Sequence, residues 1–296
     1  MAAAVASIPQ PTKQVDAVLN YYRVPEDGTI DPFYDGTVIE TRRKDVEVPV
    51  SITDLRGFEN DTSLDQQGFQ LVSHSSIEKD FDDEERIKDV YYKECADLLK
   101  KTTGATRVHV ISHIVRRKSH EEAMQDEQGL DDMAPVPKPS TGRVVHVDQS
   151  YNGAKAVLDL CLPDESEQLS RSRWAFINVW RAIEPVNREP LCLTDARSVA
   201  EEDLQERELC LNPKDAGDDG ARFFMWSVKP PAQANQHQWY YFSKMTPEEV
   251  LLFKIYDSKL VGTARRTPHT AFESPEDSGP PRQSLELRCL VFWEDQ

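Results

Sequence analysis

The 296-residue chain carries seven histidines, at positions 74, 109, 113, 120, 146, 237 and 269. Imidazole nitrogen is one of the few side-chain ligands open to a transition metal near neutral pH, so each histidine is weighed by its neighbours. His146 stands in Val144-Val145-His146-Val147-Asp148, a β-branched run that predicts a short strand. Residues i and i+2 of a strand project to the same face, so His146 and Asp148 would offer a nitrogen and a carboxylate oxygen to one ion. A second histidine from a distant strand would complete a two-His, one-carboxylate facial triad, which leaves three adjacent positions of iron(II) open. His269, in Pro268-His269-Thr270-Ala271-Phe272, is the candidate. A rival His-x-Glu pair, His120 and Glu122, lies in a stretch polar on all sides and lacks the buried strand that a dry metal pocket needs.

Thirteen positions after His269 come Arg282, Gln283 and Ser284, at the opening of the last predicted strand. A guanidinium fork grips a carboxylate with two parallel hydrogen bonds, and a serine hydroxyl adds a third donor. Arg282 and Ser284 would hold the far carboxylate of a 2-oxo acid whose other end chelates the metal. Arg288 on the same strand is the rival for that role. Trp180, Arg181 and Trp239 are candidates for substrate contact, with a structural ion pair as the other reading of Arg181 and core packing as that of Trp239. Simple alternation puts Arg107, His109, Ile111 and His113 on one strand face. Lys254, amid Leu252, Phe253 and Ile255, is either a buried cation or the solvent-facing residue of an edge strand.

Residues 1 to about 15 read as a loose arm, followed by polar chain with extended pieces at 37–40 and 46–52. A helix is expected over about 83–101, with an apolar stripe of Ile87, Val90, Tyr91, Ala96, Leu98 and Leu99, a cap at Asp82 or Asp83, and Gly104 beyond its end. Strands are expected at 106–116, 143–148, 173–183, 191–194, 222–229, 238–243, 250–257, 269–273 and 284–293. A helix capped by Ser150 runs to about 161, with Gly153 weakening its first turn. Residues 118–142, charged and then proline-rich, read as a long loop, either disordered or folded over a site. Many short strands and few helices predict a mainly β fold, a sandwich, barrel or jelly roll with flanking helices. Residues 1–104 would form an N-terminal extension and supporting helix, and 105–296 the catalytic core of a single compact domain.

The order His-x-Asp, His, Arg-x-Ser resembles that of the 2-oxoglutarate-dependent dioxygenases. Arg143 to Ser150, Asn178 to Arg181, Pro190 to Ala196, His237 to Phe242, Phe253 to Ser258, Pro268 to Phe272 and Pro281 to Arg288 resemble, more narrowly, the gibberellin-desaturase-like hydroxylase/desaturase family of fungal secondary metabolism. The resemblance covers about 143–293, with the N-terminal third matching loosely. It implies a double-stranded β-helix, iron(II) held by His146, Asp148 and His269, 2-oxoglutarate as cosubstrate, and O2. It also implies a small-molecule substrate, a metabolite or amino-acid-derived precursor, that is hydroxylated, desaturated or cyclised. One departure is Arg181-Ala182-Ile183, where family members show Arg-Pro.

The formal charge of −17 disfavours phosphate backbones and anionic lipids, so neither nucleic acid nor membrane is expected as a partner. The five cysteines are scattered, odd in number and without a CxxC pair, which fits reduced structural thiols. No signal peptide and no bilayer-length apolar run are read, giving the expectation of a cytoplasmic protein, monomer or homodimer. The alternative from another class is a non-enzymatic cupin-like metal or small-molecule binder on the same jelly roll. Arg282-Gln283-Ser284 discriminates, because a passive binder has no use for a 2-oxo-acid clamp.

Overall fold

The computed structural model describes residues 13–210 and 222–296. Fourteen strands run through them: β1 (Gln14–Tyr21), β2 (Phe33–Tyr34), β3 (Val46–Asp54), β4 (Phe69–Ser73), β5 (Arg107–Arg116), β6 (His146–Val147), β7 (Arg173–Ala182), β8 (Leu191–Thr194), β9 (Leu204–Cys210), β10 (Phe223–Val228), β11 (Trp239–Tyr241), β12 (Glu249–Asp257), β13 (His269–Ala271) and β14 (Ser284–Trp293). They form a nine-stranded sheet, in the order β1-β3-β11-β8-β13-β6-β10-β9-β2, and a five-stranded sheet, in the order β4-β12-β7-β14-β5. The molecule is the expected mainly β jelly roll.

The alternation of β14 shows how the core is divided. Leu290 and Phe292 join Trp174, Phe176, Trp180, Leu251 and Phe253 in a core that also takes Val147 and Leu193 from the other sheet. Leu285, Leu287, Cys289, Val291 and Trp293 face the opposite way, against Ile87, Tyr91, Cys95, Leu98 and Leu99 of the helical stretch. Strands buried on both faces read as nearly continuous apolar runs, which is why β7, β12 and β14 stand out in the sequence. The helical stretch begins at Asp83, whose side chain accepts from the backbone N–H of Glu85 and Arg86, and it ends at Gly104 in the left-handed region (φ 70°). A π turn at Ile87–Tyr91 shifts its register. Cys95 is therefore buried where the simple period places Ala96.

Several expectations are corrected. Of residues 37–40 only Thr37 is extended; the rest open a short helix, Val38–Arg42. β1 begins at Gln14, and residues 1–12, read as a loose arm, lie outside the described ones. Residues 118–142 contain a helix, His120–Asp126, with a complete capping box between Ser119 and Glu122. Backbone hydrogen bonds from Val38 to Ala134 and from Ile39 to Asp132 fasten that segment to the N-terminal region. β5 carries a bulge: Arg288 pairs with Ser112 but Cys289 pairs with Val110, so Ile111 is an extra residue. The bulge reverses the alternation. His113 turns outward to the Tyr92 hydroxyl, 2.9 Å away, whereas His109 lies opposite Leu290.

Candidate metal centre

His146 opens β6, His269 opens β13, and the two residues are direct cross-strand partners. Their imidazole centroids stand 4.5 Å apart. Asp148 follows β6 with its side chain on the same face as His146, as strand periodicity requires. Asp148 Oδ1 is 3.3 Å from His146 Nε2 and 3.9 Å from His269 Nε2. One ligand atom from each of the three residues lies within 4.8 Å of the others, a span that a single ion can bridge. Each histidine donates Nδ1–H to the carbonyl two residues before it: His146 to Val144 at 2.7 Å and His269 to Thr267 at 3.0 Å. A carbonyl only accepts, so these bonds fix the tautomer and turn both Nε2 lone pairs inward.

Burial alone would raise the Asp148 carboxyl, but Arg288 and the two histidines hold it well below the usual carboxylate range. His269 is pushed down to about 4 by burial and by the neighbouring His146, so it is neutral and ready to ligate. Burial opposes charge on His146, but the carboxylate of Asp148 beside it raises it. His146 keeps a 23% exposed edge, which marks the open side of the cluster. Two imidazole nitrogens and one carboxylate oxygen form a donor set suited to iron(II), and among the described residues no fourth His, Cys, Asp or Glu joins it.

The five-stranded sheet forms the floor. Phe253 of β12, Asn178 of β7 and Arg288 of β14 are successive cross-strand partners. Phe253 packs its ring 4.6 Å from that of His269, Asn178 donates to Asp148 Oδ2 at 2.6 Å, and Arg288 Nε lies 3.6 Å from the same oxygen. Glu286, buried on the same face of β14, is 3.6 Å from Arg288 Nε. Burial and the nearby Asp148 charge raise its carboxyl. Arg282 is buried, with its guanidinium 5.2 Å over the Trp180 ring and Nη1 donating to the Glu189 carbonyl at 2.6 Å. Burial and the neighbouring Arg116 pull it down to about 10. Arg282 Nε, Ser284 Oγ and Arg288 Nε are buried donors without a hydrogen-bond partner among the described residues. Such orphans are rare, and a carboxylate ligand would satisfy them.

The structure thus brings His146, Asp148, His269 and Arg288 into one cluster, puts Ser284 and Trp180 on the strands beneath it, and holds Arg282 two residues before β14, over Trp180. It does not bring Arg181 or Trp239 there. Arg181 points to the other face of β7, where it bonds the Tyr91 hydroxyl at 2.9 Å and the His74 carbonyl at 2.9 Å. Trp239 opens β11 and packs in the core on the other face of the nine-stranded sheet, where it donates to the Tyr21 hydroxyl at 3.0 Å. Lys254 is the buried cation, within 2.7 Å of both Asp65 and Asp257; β12 is no edge strand, since β4 covers it. Asn178 and Glu286 escaped the sequence reading, although a lone amide or carboxylate inside an apolar strand was the available signal. Glu189, held at φ 50° with its carboxylate on Arg143 and its carbonyl on Arg282, had no local signal.

A family model described as an oxidoreductase/YMDC permease-like domain matches residues 19–292. None of the helices among the described residues is long and apolar enough to cross a membrane. The chain is 44% identical to the hydroxylase/desaturase CTB9 of Cercospora beticola, over 95% of this chain and 87% of that one. It is 32% identical to the alpha-ketoglutarate-dependent dioxygenase phiK of a fungal species, over 94% and 96% of the two chains. Among solved structures, the iron and alpha-ketoglutarate-dependent endoperoxidase NvfI superposes with a TM-score of 0.75 at 23% identity, over 94% of this chain and 98% of that one, so the fold is shared. The chain belongs to the fungal hydroxylase/desaturase family of iron(II)- and 2-oxoglutarate-dependent dioxygenases.

Proposed function

We propose that His146, Asp148 and His269 hold the iron of this dioxygenase and that Arg282, with Ser284, binds the far carboxylate of 2-oxoglutarate. The convergence of two correctly turned imidazoles and one carboxylate carries the first assignment. Two partnerless buried donors, Arg282 Nε and Ser284 Oγ, support the second. The substrate on this reading is a small molecule of fungal secondary metabolism, oxidised at an unactivated C–H bond by hydroxylation, desaturation or cyclisation. Iron, 2-oxoglutarate and O2 together supply an oxidant capable of that chemistry, with succinate and CO2 as coproducts.

The protein's own part is positional. Backbone carbonyls aim the two imidazoles, and Asn178 and Arg288 hold the far oxygen of Asp148. Trp180 supports the Arg282 guanidinium from below, and the Glu189 carbonyl takes one of its N–H groups, leaving the rest of the fork for a ligand. The apolar floor, with Phe253 against His269, keeps water from that side. Purified protein supplied with iron(II), ascorbate, 2-oxoglutarate and air should form succinate, and His269→Ala should form none. Succinate at an undiminished rate in that variant would remove His269 from the ligand set; failure of the parent protein to bind 2-oxoglutarate would favour the metal-binding cupin.

A further inference from the structure

The two oxygens of Asp148 have different company. Oδ1 faces the histidines, at 3.3 and 3.9 Å. Oδ2 is turned away to the Asn178 amide at 2.6 Å and to Arg288 Nε at 3.6 Å. Since a carboxylate only accepts, the amide must present its NH2 group. Asn178 is fully buried between Phe253 and Arg288, so its direction is set by the sheet. This division matters for a facial triad. A carboxylate that used both oxygens on the metal would occupy one of the three positions that a chelating 2-oxo acid and O2 together require.

We infer that Asn178 is a positioning residue that keeps Asp148 one-toothed on the metal and so preserves the third open position. The inference rests on the assignment of Asp148 as a ligand. Without the amide, the low-dielectric site leaves Oδ2 short of a strong donor, because Arg288 Nε stands at the longer distance. The carboxylate then gains by swinging Oδ2 onto the metal. The consequence is selective: the metal stays bound, and the 2-oxo acid loses a place.

The test uses cobalt(II), which does not turn over, and isothermal titration first of the metal and then of 2-oxoglutarate into the metal-loaded protein. Asn178→Leu keeps the volume and removes the donor, while Asn178→Ser is the variant of second resort if the leucine protein does not fold. Metal affinity should stay near the parent value while 2-oxoglutarate affinity falls by about tenfold or more, the scale on which groups behind a metal ligand act. Unchanged 2-oxoglutarate affinity would overturn the inference, as would a parallel loss of both affinities, which would mark a merely structural role. His269→Ala separates this from the underlying assignment: if the parent protein binds cobalt equally well without His269, the site itself is misassigned.

Discussion

At the level of single residues, two arginines compete for one task. Arg288 is the nearer to Asp148, yet it already stands among Asp148, Glu286 and Asp35, all of which stabilise its charge. Arg282 has no carboxylate among its hydrogen-bond partners in the described residues; burial beside Arg116 lowers it to about 10, still charged at neutral pH, while the Glu189 and Glu286 carboxylates favour its charge without bonding it. The cation with no carboxylate bonded to it is the better clamp for a dianion. Arg282→Lys keeps the charge but loses the fork, and should raise KM for 2-oxoglutarate by about tenfold or more. Arg288→Lys should instead weaken metal retention while sparing that KM. Steady-state succinate assays at varied 2-oxoglutarate decide between them, and the reverse pattern would exchange the two roles. The sequence carried part of this. His146 and Asp148 were legible because strand periodicity is local, and His269 because of its order relative to Arg282. Glu189 was not, because it reaches the site through a left-handed turn that no local pattern encodes, and Asn178, a lone amide in an apolar strand, gave a local sign of its burial but none of its partner, which cross-strand register sets.

The element that turns the metal strand into a helix shows local and tertiary preferences in conflict. Gly153 lies in the first turn of the helix Tyr151–Cys161, which begins three residues after Asp148. Propensity alone makes Gly153→Ala stabilising by roughly 1 kcal/mol. A Cβ there, however, would stand 1.9 Å from the Phe224 carbonyl oxygen and 2.7 Å from Gln149 Oε1. The first neighbour is backbone of β10, which already takes the N–H of Ser150 at 2.8 Å, so it cannot retreat cheaply. The clash outweighs the propensity gain: Gly153→Ala should lower the melting temperature and also weaken cobalt binding, since the displaced helix start carries Asp148 with it. A variant at least as stable as the parent, with intact metal affinity, would refute this. The same conflict explains what could be read of the elements. The helix and the long strands of the five-stranded sheet announce themselves by burial on one or two faces. β1, β4 and β9 are short or half-exposed, and the bulge at Ile111 has no signature in its residue types, so the facing of His109 and His113 could not be had from alternation.

For the molecule as a whole, the buried histidines predict how acid acts. Six of the seven histidines, His74, His109, His113, His120, His237 and His269, are held below their ordinary value, in each case with burial as the largest cause. A histidine lowered in the folded state stays neutral there while its unfolded counterpart takes up a proton below about pH 6.5, so the unfolded chain binds more protons and stability falls as pH falls. His146, Asp45, Glu286 and Asp277 are raised and act in the opposite sense. A raised carboxyl returns stability as pH falls from its folded value, about 6 for Asp45, toward its ordinary one, so these groups offset only part of a loss that six histidines share. Metal-free protein should therefore melt at a lower temperature at about pH 5.5 than at about pH 7.5 and take up protons on unfolding at the lower pH. Metal-loaded protein should show the steeper decline, because its two imidazole ligands must be neutral to bind and acid releases the ion as well. Melting curves with chelator and with cobalt, at both pH values, read this directly. A metal-free melting temperature that is unchanged or higher at the acid pH would mean that the raised carboxyls dominate the balance.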